Sequence, residues 1–201
     1  MANSRTHRTG WLTVTALVAL IVVMGASISS LQWVNQPFPG FFIYGNLNVA
    51  PYFLSHWSGN QSGLKFLDKI ISIGDRPVPD ADQLYDLVRA APSGAEFRYE
   101  VEREGKAARL VVRSMNFTLQ DWLLSFGTCL LAAVGFLVIG FTPFYMRAAS
   151  AAAPALFFLG SAVFFWFISN FDFMTSHYFP KELRLFTLTF TPSAGDRKSV
   201  V

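Results

Sequence analysis

The residues that could carry out chemistry are few and widely separated. The chain has three histidines, His7, His56 and His177, and one cysteine, Cys129. No His-Glu-x-x-His motif occurs, so zinc chemistry of the kind that this helical spacing supports is not expected. The chain also lacks a glycine-rich phosphate loop and a run of residues with metal-ligand spacing. We therefore predict no catalytic residue, no cofactor and no metal in these 201 residues.

The clearest local pattern is a capped amphipathic helix. Asp80 and Gln83 have the spacing of a capping box, in which the first side chain caps the helix N-terminus. Helical spacing then places four apolar residues on one face, namely Leu84, Leu87, Val88 and Ala91. The motif Pro92-Ser93-Gly94 ends the pattern. Such a face must be covered, either by the core of a domain or by a bound partner.

Composition indicates which elements surround this helix. The chain is 52% hydrophobic and 14% charged, whereas soluble domains have about a quarter charged residues. Of its 29 charged residues, 18 lie in residues 34–120, nine acidic and nine basic. This distribution indicates a small neutral domain between membrane segments. The net charge of +3, without a basic stripe, gives no reason to expect a nucleic-acid partner.

Three segments have the length and composition of membrane-spanning helices, which need about 20 apolar residues. They are residues 11–33, 121–146 and 152–171. Residues 183–195 resemble the start of a fourth span. A cleaved signal peptide is an alternative for the first segment, because its most apolar part is short. Under either interpretation, the segment that follows is exported from the cytoplasm.

The distribution of arginine predicts the orientation of the spans. Arg5 and Arg8 precede the first span and Arg147 follows the second, and positive residues concentrate on the cytoplasmic side. Residues 1–10 and the loop 147–151 are therefore expected in the cytoplasm. Residues 34–120 and a loop at 172–182 then lie outside the cytoplasm.

Residues 34–120 are predicted to form a small α+β domain. A β-rich run ends at the turn Gly74-Asp75, and the capped helix follows. Residues 97–103 then alternate as a strand. The turn Glu104-Gly105 leads into a second strand over residues 107–112, which pairs back. The expected fold class is an α-helical membrane protein with this domain inserted, with three complete spans and the start of a fourth.

The order of these signals resembles a bacterial-type PDZ domain over about residues 38–112. The resemblance is carried by Gly63-Leu64, Asp68, Ile70, Ile73, Gly74-Asp75 and Pro77-Val78. Leu67-Asp68 stands where Gly-Asp is usual, and the Gly74-Asp75 turn usually ends in glycine. PDZ domains bind extended peptides or chain ends by adding a strand to a sheet edge.

The resemblance implies a peptide-binding site with two walls. The carboxylate-holding loop would lie near residues 39–42, and the predicted helix would form the other wall. The candidate contact residues are Gly40, Phe41, Phe42, Leu84, Leu87 and Val88. Ordinary core packing is an equally good explanation for each of these six residues.

The whole arrangement resembles the input half of bacterial multi-span sensor proteins, including sensor histidine kinases. The resemblance implies a multi-pass protein of the bacterial inner (cytoplasmic) membrane that contacts the lipid bilayer and an extracytoplasmic peptide or protein. A homodimer is compatible with it. A kinase, cyclase or phosphatase effector would then be missing from this chain. A membrane-anchored PDZ adaptor without an effector is the main alternative, and a protease or transporter fragment is a third.

The last six residues have an unusual sequence. Asp196-Arg197-Lys198-Ser199-Val200-Val201 is what a widely used sequencing adapter encodes in one reading frame. A genuine basic tail is the alternative. We expect that residues 196–201 are an adapter artefact and that the chain is truncated within the fourth span.

Overall fold

The computed structural model describes residues 2–146, 150 and 152–175. The predicted fourth-span start (183–195) and the adapter-like tail (196–201) lie outside the described residues, as do residues 176–182 and most of the predicted loop 147–151. The helices are α1 (Ala2–Leu31), α2 (Ser58–Gln61), α3 (Ala81–Arg89), α4 (Leu119–Trp122), α5 (Thr128–Met146) and α6 (Ala152–Thr175), with a π-helical turn (Leu123–Gly127) between α4 and α5. The strands are β1 (Pro37–Phe38), β2 (Lys69–Ile73), β3 (Arg76–Pro77), β4 (Glu96–Arg103), β5 (Lys106–Arg113) and β6 (Met115–Asn116).

Three helical segments in the described part of the chain are long and apolar enough to cross a membrane. They are Thr13–Leu31, Leu119–Pro143 and Ala152–Thr175. Helices suit a bilayer because each satisfies its own backbone hydrogen bonds. The three segments overlap the spans that the sequence predicts at 11–33, 121–146 and 152–171, although α1 itself already begins at Ala2.

α6 extends beyond Phe171, the predicted end of the third span. It continues to Thr175, so residues 172–175, which were predicted to belong to an outside loop, are helical. The Asp172 side chain is buried and lines a small cavity together with Ser29 and Ser30 of α1. A prediction from hydropathy places the end of an apolar helix at the first charged residue. Here packing against α1 covers the carboxyl group of Asp172, so the helix continues.

The α+β domain, residues 34–120, contains a four-stranded antiparallel sheet in the order β3-β2-β4-β5. The predicted hairpin is confirmed, with β4 and β5 paired from Glu96↔Arg113 to Arg103↔Lys106. β1 pairs with β6, which brings the two ends of the domain together beside the apolar helices. The predicted cap is also confirmed, since Asp80 Oδ1 accepts a hydrogen bond from the Gln83 N–H at 2.8 Å.

A cluster of aromatic rings joins this domain to the apolar helices. We call it the aromatic cluster; its members are Trp33, Phe38, Phe42, Trp57, Tyr85, Phe117, Phe126 and Phe171, and all of them are buried. The contacting rings have centroids 4.9–6.4 Å apart and are mostly edge-to-face. Such pairs contribute about 0.5–1.5 kcal/mol each beyond the area that they bury. The domain and the helices therefore share one core at their junction.

Candidate functional site

The segment Gly40–Tyr44, which contains three of the six candidate residues, is paired along one edge. Ile43 forms an antiparallel bridge with Val49. The Tyr44 N–H also donates to the Asn48 carbonyl at 2.8 Å. Because backbone groups of successive residues in an extended chain point to opposite sides, the Ile43 N–H points away from this pairing.

The unpaired edge of the segment faces α3. The Ile43 N–H donates a hydrogen bond to the Tyr85 hydroxyl of α3 at 3.1 Å. The two elements are in direct contact, and we call the line along which Gly40–Tyr44 and α3 meet the α3 groove. An extended peptide that added a strand beside this segment would use this side of it.

The predicted contact residues lie on both walls of the α3 groove and are largely core residues. Phe41, Phe42, Leu84 and Val88 have no exposed surface, and Gly40 is also buried. Leu87 is only partly buried. Their role in peptide contact stays a prediction, and Leu87 is the candidate that a ligand could touch without a change in the core.

Gly40 occupies a position that excludes a side chain. Its φ is +83°, and a Cβ atom added there would lie 1.9 Å from the Ser58 hydroxyl oxygen. The Gly59 N–H donates to the Gly40 carbonyl at 3.2 Å. A Cβ on Gly59 would in turn lie 2.6 Å from that carbonyl oxygen. The predicted carboxylate-holding loop is therefore fixed against α2 by two glycines that touch.

Tyr85 connects the α3 groove to the end of α6. Its hydroxyl accepts from the Ile43 N–H and donates to the Met174 carbonyl at 2.8 Å. Met174 lies in the last turn of α6, where carbonyls lack a partner within the helix. Burial raises the pKa of the Tyr85 hydroxyl above its usual range, so the group remains a donor at physiological pH.

Tyr85 was not among the predicted site residues, although its helical position was a signal for it. Ala81, Leu84, Tyr85 and Val88 are the buried residues of α3, and they fit a helical stripe as well as the predicted face does. The Tyr85 ring packs edge-to-face on Trp33, with centroids 4.9 Å apart.

Trp33 also carries a cation on its ring. The Arg89 guanidinium carbon lies 4.3 Å from the Trp33 ring centroid, within the range of a cation–π interaction. Trp33 lies two residues after the last residue of α1, and its ring also contacts Phe171 of α6. The end of α1, the groove helix α3 and the end of α6 therefore meet at one indole.

A second junction ties the domain to the start of α4. Asp121 is fully buried and accepts hydrogen bonds from the Trp57 indole N–H at 2.8 Å and the Thr118 N–H at 2.8 Å. His56 Nε2 lies 2.7 Å from the same carboxylate. Thr118 and Asp121 form a capping box, and the Thr-x-x-Asp spacing could have predicted it. Trp122 donates from its indole to Ser30 of α1 at 2.9 Å, which ties α4 to α1.

These contacts connect the Gly40–Tyr44 segment and α3 to the ends of α1 and α6. Within the described ranges, no three His, Cys, Asp or Glu side chains are placed to hold a metal ion.

The chain is similar to parts of several solved structures. No protein-family model matches the chain, and no curated protein matches it. Similar solved structures include the HtrA-type protease AlgW with a decapeptide, at 15% identity and a TM-score of 0.37 over 40% of this chain and 29% of that chain. Another is the serine endoprotease from Yersinia pestis, at 17% identity and a TM-score of 0.35, again over 40% and 29%.

The chain thus spans less than a third of the length of these two proteases. The described residues themselves contain three helices that are apolar and long enough to cross a membrane, and a small α+β domain in which strands, a helix and a hairpin follow one another.

Proposed function

We propose that this chain is the membrane-embedded input part of a bacterial signalling receptor. Its α+β domain binds a peptide or a protein end outside the cytoplasm. The observation that carries the proposal is the Tyr85 hydroxyl, which bonds both to the groove segment at Ile43 and to α6 at Met174. Because a residue of the groove is hydrogen-bonded to an apolar helix, ligand binding in the groove can change the position of that helix.

The chemistry of the groove fits an extended peptide. The Gly40–Tyr44 segment can offer main-chain hydrogen bonds, which give affinity with little dependence on sequence. Leu87 on α3 is partly exposed and can provide an apolar contact for a ligand side chain. The nine acidic and nine basic residues of the domain balance, so the ligand need not be highly charged.

Signalling requires that ligand binding changes the free-energy difference between two arrangements of the helices. The aromatic cluster and the contacts of Asp121 fix the domain to α1, α4 and α6. Ligand binding at the groove therefore changes the packing of those helices. In this proposal the described residues are not an enzyme, and a kinase, cyclase or phosphatase domain downstream supplies the output.

The first test concerns ligand binding. The full chain in lipid nanodiscs is screened against random peptides with free C-termini, and binding of a subset is expected, with weaker binding of amidated copies. Leu87→Arg should remove this binding, because it places a charge at the apolar groove. Gln83→Arg is the matched control, since it adds the same charge at an exposed position of α3. No binding across the library would overturn the ligand part of the proposal.

The second test concerns location. Arg5, Arg8 and Arg147 favour a cytoplasmic N-terminus and a domain on the opposite side of the inner membrane. In a Cys129→Ser background, an impermeant maleimide added to intact spheroplasts should label Ser93→Cys in the domain. It should label Ser150→Cys only after lysis. Both positions are exposed, so the reverse pattern would contradict this orientation.

The third test separates a receptor from an adaptor. The gene is re-amplified and sequenced past the codon for Ala194. A reading frame that continues into further spans and an effector domain is expected. A stop codon soon after a completed fourth span would favour an adaptor that only recruits exported proteins.

A further inference from the structure

The backbone N–H of Ile43, on the side of its segment that faces α3, already has a hydrogen-bond partner within the protein. In strand addition, a carbonyl of the incoming peptide would accept a hydrogen bond from the outward N–H of the edge segment. Here the Tyr85 hydroxyl accepts that bond from Ile43 at 3.1 Å. The donor on this edge is therefore satisfied by the protein itself.

The last turn of α6, Phe171–Thr175, lies along the same segment. The Phe171 ring contacts Phe42 at 5.5 Å between centroids, and the Phe173 ring contacts Tyr44 at 5.0 Å. Between these two contacts, the Met174 carbonyl accepts the hydrogen bond from the Tyr85 hydroxyl. Three residues of one helical turn thus contact both walls of the groove.

We infer that the last turn of α6 is an intramolecular occupant of the α3 groove, and that an external peptide enters only when this turn withdraws. The inference rests on the proposed function for the identity of the external ligand. The closure itself rests on the contacts of Phe171, Phe173 and Met174 alone.

Closure has a quantitative consequence for binding. If only a fraction of molecules has an open groove, the apparent affinity for a peptide is reduced by that fraction. The coupling is reciprocal, so a peptide that holds the groove open releases the α6 turn to the same extent. The groove and the α6 turn then form one element with two states, closed and open. A receptor needs such an element to transmit ligand binding to its membrane helices.

Tyr85 is the residue at which closure can be weakened most selectively. Tyr85→Phe retains the ring that packs on Trp33 and removes both hydrogen bonds. Each of the two hydrogen bonds makes a modest net contribution to closure. Because both are lost together, we expect the opening equilibrium to rise about 5- to 30-fold, with a similar gain in apparent peptide affinity.

The test is amide hydrogen exchange of the full chain in nanodiscs. Tyr85→Phe should raise exchange in residues 41–44 and 171–175 together, by about 5- to 30-fold, and leave the β4–β5 hairpin unchanged. Tyr99→Phe is the matched control. It removes the hydroxyl of another buried tyrosine, which has no hydrogen-bond partner within the described part of the chain. This control should leave both segments protected.

The possible results separate the two proposals. Unchanged exchange at 171–175 in Tyr85→Phe, or an equal rise in Tyr99→Phe, would overturn the closure. If both segments open only in Tyr85→Phe and a library peptide binds this variant more tightly than the wild type, both proposals are supported. If they open only in Tyr85→Phe and no peptide binds, closure stands and the peptide-receptor function fails.

Discussion

At the scale of single residues, Leu67 has a backbone conformation that disfavours side chains. Its φ is +69°, in the left-handed region, and its side chain is half exposed. A residue with a Cβ costs about 1–2 kcal/mol in that region, whereas glycine does not. The position is also the one at which the PDZ-like pattern usually has glycine.

Leu67→Gly should therefore stabilise the α+β domain. Relief of backbone strain exceeds the extra conformational entropy of glycine in the unfolded chain, which is about 0.4–1 kcal/mol. A net gain of about 0.5–1 kcal/mol is expected, measured as the urea midpoint for pulse proteolysis of the domain in the full chain.

The neighbouring residue provides the control for this prediction. Phe66 is equally exposed but does not have a positive φ, so Phe66→Gly adds flexibility without relieving strain. It should destabilise the domain by about 0.5–1 kcal/mol. The same sign of change in both variants would show that the conformation of Leu67 is not strained.

Asp68 makes the stability of the domain depend on pH. Its buried carboxylate accepts hydrogen bonds from Arg103 Nε at 2.7 Å and from the Lys65 N–H at 2.8 Å. Burial by itself raises the pKa of this carboxyl, but the hydrogen bonds and positive charges outweigh it and hold the pKa below its usual range. The ionised form therefore stabilises the fold above the unfolded-state pKa near 3.8, and this contribution is lost as pH falls through the lower folded-state pKa.

Asp68→Asn should lower the free energy of unfolding by about 2–3 kcal/mol at pH 7, because it removes a charged partner of Arg103. The deficit relative to the wild type should shrink as the pH falls below about 4, where the wild type also loses its carboxylate. Urea unfolding at several pH values measures both effects. Asp75→Asn in the exposed β2–β3 turn is the control and should change little. A deficit that does not depend on pH would contradict the role assigned to the charge.

At the scale of elements, α5 and α6 lie in close contact where Gly140 meets Gly160. A Cβ on Gly160 would lie 2.6 Å from the Phe136 carbonyl oxygen and 2.8 Å from the Gly140 Cα. Both neighbours are backbone atoms, which cannot move aside without shifting a helix. Small residues allow this close packing where no hydrophobic force drives helices together in lipid.

Gly160→Ala should separate α5 from α6 and cost about 1–3 kcal/mol of helix-packing stability. Gly135→Ala is the control on α5, because a Cβ there meets nothing within 4 Å. It should be neutral or slightly favourable, since alanine is the better helix former. Thermal unfolding of the full chain in detergent, followed by circular dichroism, compares the two. Equal melting temperatures would show that the crossing is not tight.

Local elements were predictable because their signals are local. The Gly74-Asp75 turn, the Asp80 cap and the β4–β5 hairpin depend on residues close in sequence, and each is present. Tyr85 was not predictable in the same way, since its hydroxyl bonds to residues 42 and 89 positions away. The helical position of Asp172 likewise depends on packing against α1. Among the candidate site residues, Phe42 contacts Phe171 of α6, and no local pattern contains that contact.

At the scale of the whole molecule, two junctions hold the domain on the apolar helices. Tyr85 bonds to the end of α6, and Asp121 at the start of α4 bonds to Trp57. The Trp57 ring contacts Phe42, and Phe42 contacts Phe171, so the two junctions are joined through the aromatic cluster. Contiguous packing of this kind is a physical route for energetic coupling.

Tyr85→Phe combined with Asp121→Asn should therefore destabilise the junction non-additively. Either single variant leaves the other junction intact, whereas the double variant weakens both junctions at once. Coupled neighbours show interaction energies of about 0.5–3 kcal/mol, and distant sites add within about 0.5 kcal/mol. Hydrogen exchange at residues 171–175 in all four proteins gives the interaction energy.

The control cycle combines Tyr85→Phe with Asp68→Asn, whose partners Lys65 and Arg103 do not belong to the aromatic cluster. Its effects should add, because the Asp68 site reaches neither junction through that cluster. Non-additivity in the Asp121 cycle alone would mean that α4 and α6 are energetically coupled through the domain. A receptor that transmits binding across several helices requires such coupling. Additivity in both cycles would mean that each helix holds the domain independently, and a signal at the groove would then reach α6 without reaching α4.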